Sequence, residues 1–267
     1  MQPWMGTYVE VAAYADLRRH ADQAVEAALD VVRRAHGRWS FHEPCSELST
    51  LNRQPGVRVA VSSPTARLLR LARAMMQASG GAFDVTLGGL LVEANRLPDH
   101  GGTACLRRGR AEDIELGHGW VRLARPVRLT LDGIAKGYAV DLAIGTLQRA
   151  GVRRGWVNAG GDLRAFGDIT LPLYLRTDGG HPAPAGGLRD IAIASSGAPG
   201  CRDGNVSSFA GQVFGRDSRP VGPGVWSVLA RTAWRADALT KVAAGTPADR
   251  RDELIHRLGG RVVGVAR

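Results

Sequence analysis

The segment DGIAKGYAVD, residues 132–141, sets Lys136 between Gly133 and Gly137 at the start of a helix predicted over residues 134–150. Free backbone amides and the positive end of the helix dipole make such a start a natural seat for phosphate. A tight structural turn explains the same two glycines equally well. The segment therefore predicts a turn that leads into a helix, and it offers Lys136 as a candidate phosphate contact.

Two other glycine-rich segments have a similar character. GGAFDVT (80–86) puts a carboxylate and a hydroxyl directly after a helix-ending glycine pair, and VNAGGDLRAFG (157–167) forms a glycine turn after a strand. Such a turn lets the backbone approach a ligand closely, although a purely structural turn is the alternative for both segments. The GxGxxG and Walker phosphate-loop patterns are absent from the sequence, which argues against Rossmann and P-loop nucleotide binding.

Hydrophobic periodicity and turn residues predict the remaining elements. A first helix is expected from a cap at Asp16 to about His36, ended by Gly37, and a second from a cap at Ser63 to Gly80. Residues 98–112 are expected to form a surface loop. Other helices are expected near Ala236 and after Pro247, and strands at 7–14, 120–131, 152–158, 171–176, 188–194, 225–234 and 261–265.

These elements do not alternate strictly between helix and strand, so the pattern favours an α+β fold over a doubly wound sheet. At 267 residues, without an internal repeat or a low-complexity linker, the chain is expected to be one domain, residues 1–267.

The net charge is +10, yet the basic residues are spread along the chain, and no nucleic-acid motif accompanies them. The paired arginines, such as Arg107-Arg108, are interpreted as solvated surface. Of the 35 basic residues, all but Lys136 and Lys241 are arginine, which suggests that these two positions need a compact ammonium group. We expect no nucleic-acid partner.

Neither a signal peptide nor a transmembrane segment is visible in the sequence. The expected location is therefore cytoplasmic as the sequence stands, or periplasmic if an export segment was removed. Three widely spaced cysteines, with no CxxC pattern, are interpreted as free structural thiols.

The order of the motifs is more specific than any one of them. MGT (5–7), SELSTLN (46–52), SGGAFDVT (79–86), DGIAKGYAVD (132–141), VNAGGDLRAFG (157–167), ASSG (194–197) and ADALTK (236–241) follow one another across nearly the whole chain. This series resembles the FAD:protein FMN transferase (ApbE-type) family.

The resemblance implies one α+β domain of two interlocked halves with a mixed or antiparallel sheet and a flavin cleft between the halves. It implies that FAD is the substrate, that magnesium holds its pyrophosphate, and that FMN passes to a threonine of an acceptor flavoprotein with release of AMP. Phosphoryl transfer of this kind depends on positioning and on neutralising charge on the oxygens.

The family's functional residues are carried over position by position. The expected contacts to FAD are Met5, Gly6, Thr7, His42, Ser46, Glu47, Asp84, Thr86, Lys136, Gly137, Asn158, Gly160, Gly161, Asp162 and Ser196. Ser46 and Glu47 would begin a loop over the adenosine side, and the Gly137 amide would face the phosphates. Asp237 and the Ala135 carbonyl would ligate the metal, with Thr240 as a nearby hydroxyl. Lys136, Asp237 and Lys241 are the candidate catalytic residues.

Two departures from the family pattern bear on catalysis. Lys241 stands where the family has a metal-side threonine, four residues after Asp237, so on a helix it would pair directly with Asp237. An ammonium there repels a divalent cation, which puts Mg²⁺ in question. The second departure is Gln212, which aligns with a family histidine and cannot accept a proton at neutral pH.

Three functions therefore stay open at this point. The favoured one is a working transferase in which Lys241 partly replaces magnesium. The alternatives are a flavin-binding protein that has lost catalysis and a pyrophosphatase that converts FAD to FMN and AMP.

Overall fold

The computed structural model of the chain describes residues 2–15, 17–101, 104–176, 181–198, 213–215 and 217–266. Asp16, the expected helix cap, and Gln212 lie outside these residues. The chain divides into two compact units, which we call the terminal unit (residues 1–32 and 136–267) and the middle unit (residues 33–135). A single domain over residues 1–267 therefore stays a prediction.

The strands are β1 (Gln2–Trp4), β2 (Thr7–Tyr14), β3 (Val59–Ala60), β4 (Ile114–Leu116), β5 (Trp120–Leu123), β6 (Arg154–Ala159), β7 (Asp162–Phe166), β8 (Leu171–Arg176), β9 (Pro182–Leu188), β10 (Ala192–Ala198), β11 (Gly224–Ala230) and β12 (Gly260–Ala266). The helices are α1 (Arg18–Trp39), α2 (Glu47–Arg53), α3 (Ser63–Ala78), α4 (Gly88–Glu93), α5 (Ala135–Arg149), α6 (Ala233–Ala244) and α7 (Ala248–Arg257).

Within the terminal unit, seven strands form one sheet in the order β1-β2-β6-β7-β10-β11-β12, and every neighbouring pair is antiparallel. Helix α6 packs against β7, β10 and β11, and α7 packs against β12. Strands β8 and β9 form a separate antiparallel pair. The expected α+β class with antiparallel pairing is confirmed.

Two tight turns lie side by side at one end of this sheet. Met5 and Gly6 connect β1 to β2, and Gly160 and Gly161 connect β6 to β7, and all four residues have positive φ angles. Two-residue turns of this kind match the twist of a hairpin. Because β2 pairs antiparallel with β6, with Val9 opposite Ala159, the start of β2 lies beside the end of β6.

The middle unit has its own small core. Strands β3, β5 and β4 form a three-stranded antiparallel sheet, and α2 and α3 pack against it. Leu68 and Leu69 on α3, and Val121 and Leu123 on β5, are fully buried in this core. The apolar side chains of α3 therefore face the inside of this unit.

Helix α1 does not end at Gly37, as the sequence suggested, but continues to Trp39. Trp39 is buried, and its Nε1 donates a hydrogen bond to Thr65 Oγ1 at 2.8 Å. A glycine inside a helix costs only about 1 kcal/mol relative to alanine, which the burial of a tryptophan outweighs. The cap of α3 is Ser62, one residue before the expected Ser63.

Several strand bounds also differ from the prediction. The 120–131 run forms a strand only to Leu123, and the 225–234 run ends at Ala230, after which α6 begins three residues before Ala236. The 188–194 run is divided between the end of β9 and the start of β10. Apolar content alone does not mark such ends, because buried loops and helix starts are apolar as well.

Among the described residues, the longest helices carry too many polar side chains, and the apolar ones are too short, for any of them to cross a bilayer.

Candidate active site

Four charged side chains of the terminal unit meet beside the start of α5. Lys136 Nζ lies 3.2 Å from Asp162 Oδ2 and 4.0 Å from Asp237 Oδ2, and Lys241 Nζ lies 2.6 Å from Asp237 Oδ1. The two aspartate side chains are 2% and 0% exposed, whereas the two lysine side chains are 25% and 19% exposed. We call these four residues the quartet. The solvent-accessible surface of the quartet therefore comes from the two lysine side chains.

A close crossing of α5 and α6 brings the quartet together. A Cβ at Gly137 would lie 2.3 Å from the Ala233 carbonyl oxygen, so no larger residue fits there. The Asp141 carboxylate accepts hydrogen bonds from the first amides of α6, those of Ala233 at 3.0 Å and Trp234 at 2.8 Å. Asp141, which lies on the neighbouring helix α5, therefore caps the N-terminus of α6.

On α6 itself, Asp237 and Lys241 are one turn apart and form the i, i+4 pair that the sequence predicted. Lys241 Nζ also donates to Ser196 Oγ at 2.8 Å, and Ser196 Oγ lies 2.7 Å from Thr240 Oγ1. Ser196 on β10 is therefore a second hydrogen-bond partner of the ammonium group, besides Asp237.

The quartet's carboxylates differ in acidity. Burial, together with the nearby Asp237 charge, raises the pKa of Asp162 to about 7, although Lys136 and Lys241 act in the opposite direction. Burial also works to raise the pKa of Asp237, but the two lysine charges and the hydrogen bonds from Lys241 and Gly137 outweigh it and lower that pKa. Asp237 is therefore the firmly ionised member, and Asp162 gains or loses a proton near neutral pH.

These residues do not fit magnesium, which prefers near-octahedral oxygen ligands. Asp237 Oδ1 accepts from Lys241 and Oδ2 accepts from the Gly137 amide at 3.2 Å. The Thr240 hydroxyl donates to the Asp237 main-chain carbonyl at 2.7 Å. A dication about 4 Å from one ammonium would meet a repulsion of roughly 8 kcal/mol at an effective dielectric constant near 20. In the described part of the chain, no three His, Cys, Asp or Glu side chains are grouped as metal ligands.

The Gly137 amide was expected to face phosphate, and in the structure it donates to Asp237 instead. Ala135, whose carbonyl was expected to ligate the metal, is the first residue of α5 and directly precedes Lys136. The lysine side chain therefore begins in the first turn of the helix, where the helix dipole favours an anion over a cation.

The expected flavin contacts at the two sheet turns do lie together. A Cβ at Gly160 would come within 2.2 Å of Thr7 Oγ1, so the Met5–Thr7 segment and the glycine pair are in contact. Asn158 Oδ1 accepts from the Gly161 amide at 3.0 Å, and its Nδ2 donates to Glu10 Oε2 at 3.2 Å. Asn158 therefore fixes the turn, and Glu10 is a supporting residue that sequence reasoning missed.

Ser46 and Glu47 were expected to begin a loop, but they begin a helix. Ser46 is the N-cap of α2, where its Oγ accepts from the Ser49 amide at 3.0 Å. Glu47 Oε2 accepts from both the amide and the hydroxyl of Ser62 at 3.0 Å. The serine-led pattern of this motif is a capping signal, and both polar groups are engaged within the middle unit.

Asp84 and Thr86 are likewise bound internally. Asp84 Oδ1 accepts from the Thr86 amide at 2.7 Å and hydroxyl at 2.6 Å, and its Oδ2 accepts from Arg108 Nε at 2.6 Å. The Gly109 amide donates to Thr86 Oγ1 at 2.9 Å.

Arg108 contradicts the interpretation of its arginine pair as solvated surface. Its side chain is 24% exposed, against 66% for Arg107, and it forms an ion pair with a buried carboxylate. The expected loop at 98–112 is confirmed in that its described residues form no helix or strand before Ala111, but it does not lie at the surface at Arg108. His42 is exposed in the middle unit, where its amide donates to Ser40 Oγ.

Two cavities among the described residues lie away from the quartet. One of about 780 Å³ is lined by Tyr14, Arg18 and Arg154, at the opposite end of the sheet from the glycine turns. The other, of about 470 Å³, is lined by Trp226, Thr246 and Arg251. Neither is lined by a quartet residue, so cavity size does not mark the candidate site.

Comparison with known proteins finds the same family that the order of the motifs resembles. The model of the ApbE family matches residues 5–263. Among curated proteins, the FAD:protein FMN transferase of Rhodobacter capsulatus is 31% identical over 176 residues, which are 61% of this chain and 34% of that protein. The chain thus spans about a third of the length of that relative.

Solved structures share the fold. The ApbE protein of Thermotoga maritima has a TM-score of 0.82 at 22% identity, covering 99% of this chain and 94% of that one. The flavin transferase ApbE from Vibrio cholerae has a TM-score of 0.79 at 20% identity, covering 95% of this chain and 88% of that one.

Proposed function

The chain belongs to the ApbE family, and from that membership we propose that it is a FAD:protein FMN transferase, which moves FMN from FAD to a threonine of an acceptor flavoprotein. In this reaction the threonine Oγ forms a bond to the FMN phosphorus. The bond from that phosphorus to the bridging oxygen breaks, AMP leaves with the electron pair, and the hydroxyl proton passes to water.

The observation that carries the proposal is the arrangement of charge in the quartet. Two ammonium groups lie at the accessible side of the site and two carboxylates lie beneath them. In phosphoryl transfer the protein mainly positions the groups and neutralises charge on the phosphate oxygens. Lys136 and Lys241 would bind those oxygens, and Asp237 would hold Lys241 in place.

The two glycine turns support the binding part of the proposal. Gly160 lets the turn pack against Thr7, and Gly161, where an added Cβ would meet nothing within 4 Å, leaves the backbone open to a flat ligand such as a flavin ring. We propose Met5, Gly6 and Thr7 as its neighbours in this unit. The expected compartment, cytoplasmic or periplasmic, stays a prediction.

The test is to incubate the protein with FAD, with and without an acceptor flavoprotein, and to measure AMP and the acceptor's mass. The proposal expects AMP release that depends on the acceptor, with a mass gain of one FMN less water on a threonine. AMP release without an acceptor would instead indicate the pyrophosphatase. Flavin fluorescence quenching without AMP release would indicate a binding protein that has lost catalysis.

A site-specific control separates this chemistry from general positive charge. Lys136→Ala should weaken FAD binding about tenfold to a hundredfold, since charge-assisted hydrogen bonds contribute roughly 1.5–3 kcal/mol. Arg107→Ala, which removes an exposed arginine paired with Glu93, should leave binding unchanged. Equal losses in the two variants would contradict a specific role for Lys136.

A further inference from the structure

Both Asp237 oxygens, which would ligate a divalent cation in this site, are engaged by this chain's own groups. Lys241 Nζ lies 2.6 Å from Asp237 Oδ1 and 2.8 Å from Ser196 Oγ, so it is bound between two oxygens. The second Asp237 oxygen accepts from the Gly137 amide. To bind Asp237, a cation would have to displace the Lys241 ammonium group, which has two hydrogen-bond partners.

The burial of these groups shows which charge a ligand would meet. Asp237 is fully buried, and the lysine side chains are the accessible members of the quartet. The carboxylates therefore fix the ammonium groups from below instead of offering oxygens to an incoming metal. An anionic ligand would meet two positive groups carried by the protein.

We infer that Lys241 acts as a built-in cation, so that the quartet binds a diphosphate directly through Lys241 and Lys136 and does not bind Mg²⁺. The identity of the ligand rests on the proposed transferase function, whereas the exclusion of metal is a property of the protein without ligand. One substitution should restore metal binding, because a threonine at position 241 would leave Asp237 Oδ1 without its ammonium partner.

The first measurement is metal binding by the 267-residue chain without FAD, with Mn²⁺ as the probe. Loss of the free Mn²⁺ signal in electron paramagnetic resonance reports binding, and competition with Mg²⁺ shows that the two ions share the site. Three proteins are compared: the unmodified chain, Lys241→Thr, which supplies an oxygen ligand, and Lys241→Met, which only removes the charge. Circular dichroism melts confirm that each variant is folded.

The unmodified protein is expected to show no saturable Mn²⁺ binding, and Lys241→Thr is expected to bind Mn²⁺ about tenfold or more tightly than Lys241→Met. Saturable binding to the unmodified protein as tight as to Lys241→Thr would overturn the inference. Equal weak binding by both variants would also overturn it, because Lys241 would then not be what excludes the ion.

The second measurement is FAD binding, followed by flavin fluorescence quenching in excess Mg²⁺ and in excess chelator. The unmodified protein should have the same affinity in both, whereas Lys241→Thr should bind more tightly with Mg²⁺ than with chelator. Loss of FAD binding by the unmodified protein on chelation would overturn the inference. If the unmodified protein binds no FAD in either condition, the proposed function fails, and the Mn²⁺ result alone decides the metal question.

Discussion

Gly137 on α5 lies so close to Ala233 on α6 that a single added carbon would sit 2.3 Å from the Ala233 carbonyl oxygen and 2.6 Å from its carbonyl carbon. The same glycine donates its amide to Asp237. The position therefore combines a close contact between the two helices with a hydrogen bond to the quartet.

Gly137→Ala should accordingly destabilise the protein by about 1–3 kcal/mol, as overpacking of a rigid backbone contact does. Gly145→Ala is the matched control on the same helix, where an added Cβ meets nothing within 4 Å. That change should be neutral or stabilise by up to about 1 kcal/mol, because alanine favours the helix. Denaturant unfolding measures both, and equal effects would contradict the close crossing.

The glycine turn between β6 and β7 allows a comparison of two adjacent residues. Gly160 and Gly161 both have positive φ angles, at +62° and +98°, so alanine is strained at either position. Gly160→Ala should cost about 1–3 kcal/mol more, because its Cβ would also collide with Thr7, whereas at Gly161 the space is open. Thermal melts of the two variants test this, and the reverse order would show that Thr7 does not lie against the turn.

Arg107 and Arg108 are neighbours with opposite expected effects. Arg108→Ala should cost about 2–3 kcal/mol, because it leaves the nearly buried Asp84 carboxylate without its ion-pair partner. Arg107→Ala should change stability by less than about 0.5 kcal/mol, since its pair with Glu93 is exposed. Chemical denaturation distinguishes them, and a small effect at both positions would mean that Asp84 is solvated.

The raised pKa of Asp162 gives stability a pH dependence with a definite sign. The pKa is about 7 in the folded protein and 3.8 in an unperturbed aspartate, so between these values the folded form holds a proton that the unfolded chain has lost. Stability should therefore fall as the pH rises from about 4 to about 7.

Asp162→Asn removes this titration. The melting temperature of the variant, relative to the unmodified protein, should therefore be higher at pH 8 than at pH 5. An equal difference at both pH values, or a larger loss at pH 8, would show that the carboxylate is ionised in the fold and stabilised by Lys136.

Local geometry was the part of the site that the sequence could predict. Lys241 and Asp237 pair because residues four apart share a helix face, and no tertiary information is needed for that. The approach of Lys136 to Asp162 could not be predicted in the same way, because it depends on how β7 packs against the α5–α6 crossing. The same holds for Asp141, whose role appears only once α6 lies beside α5.

Two of the wrong expectations share a cause. Gly37 and Arg108 were interpreted from residue type, and at both positions a tertiary partner decided the outcome. Trp39 extends α1 past Gly37, and Asp84 draws Arg108 inward. Ser46 is different in one respect, because its capping signal was readable from the sequence alone.

The interleaved order of the two units has a consequence for synthesis. Val9 on β2 lies opposite Ala159 on β6, and the whole middle unit, residues 33–135, is encoded between those two strands. The ribosome therefore releases a segment with its own core before β2 has its inner partner, β6. Pairing between distant residues is slow, and unpaired strand edges are prone to wrong association. The strand TYVEVAAY therefore gains its second partner, β6, only after the whole middle unit has been synthesised.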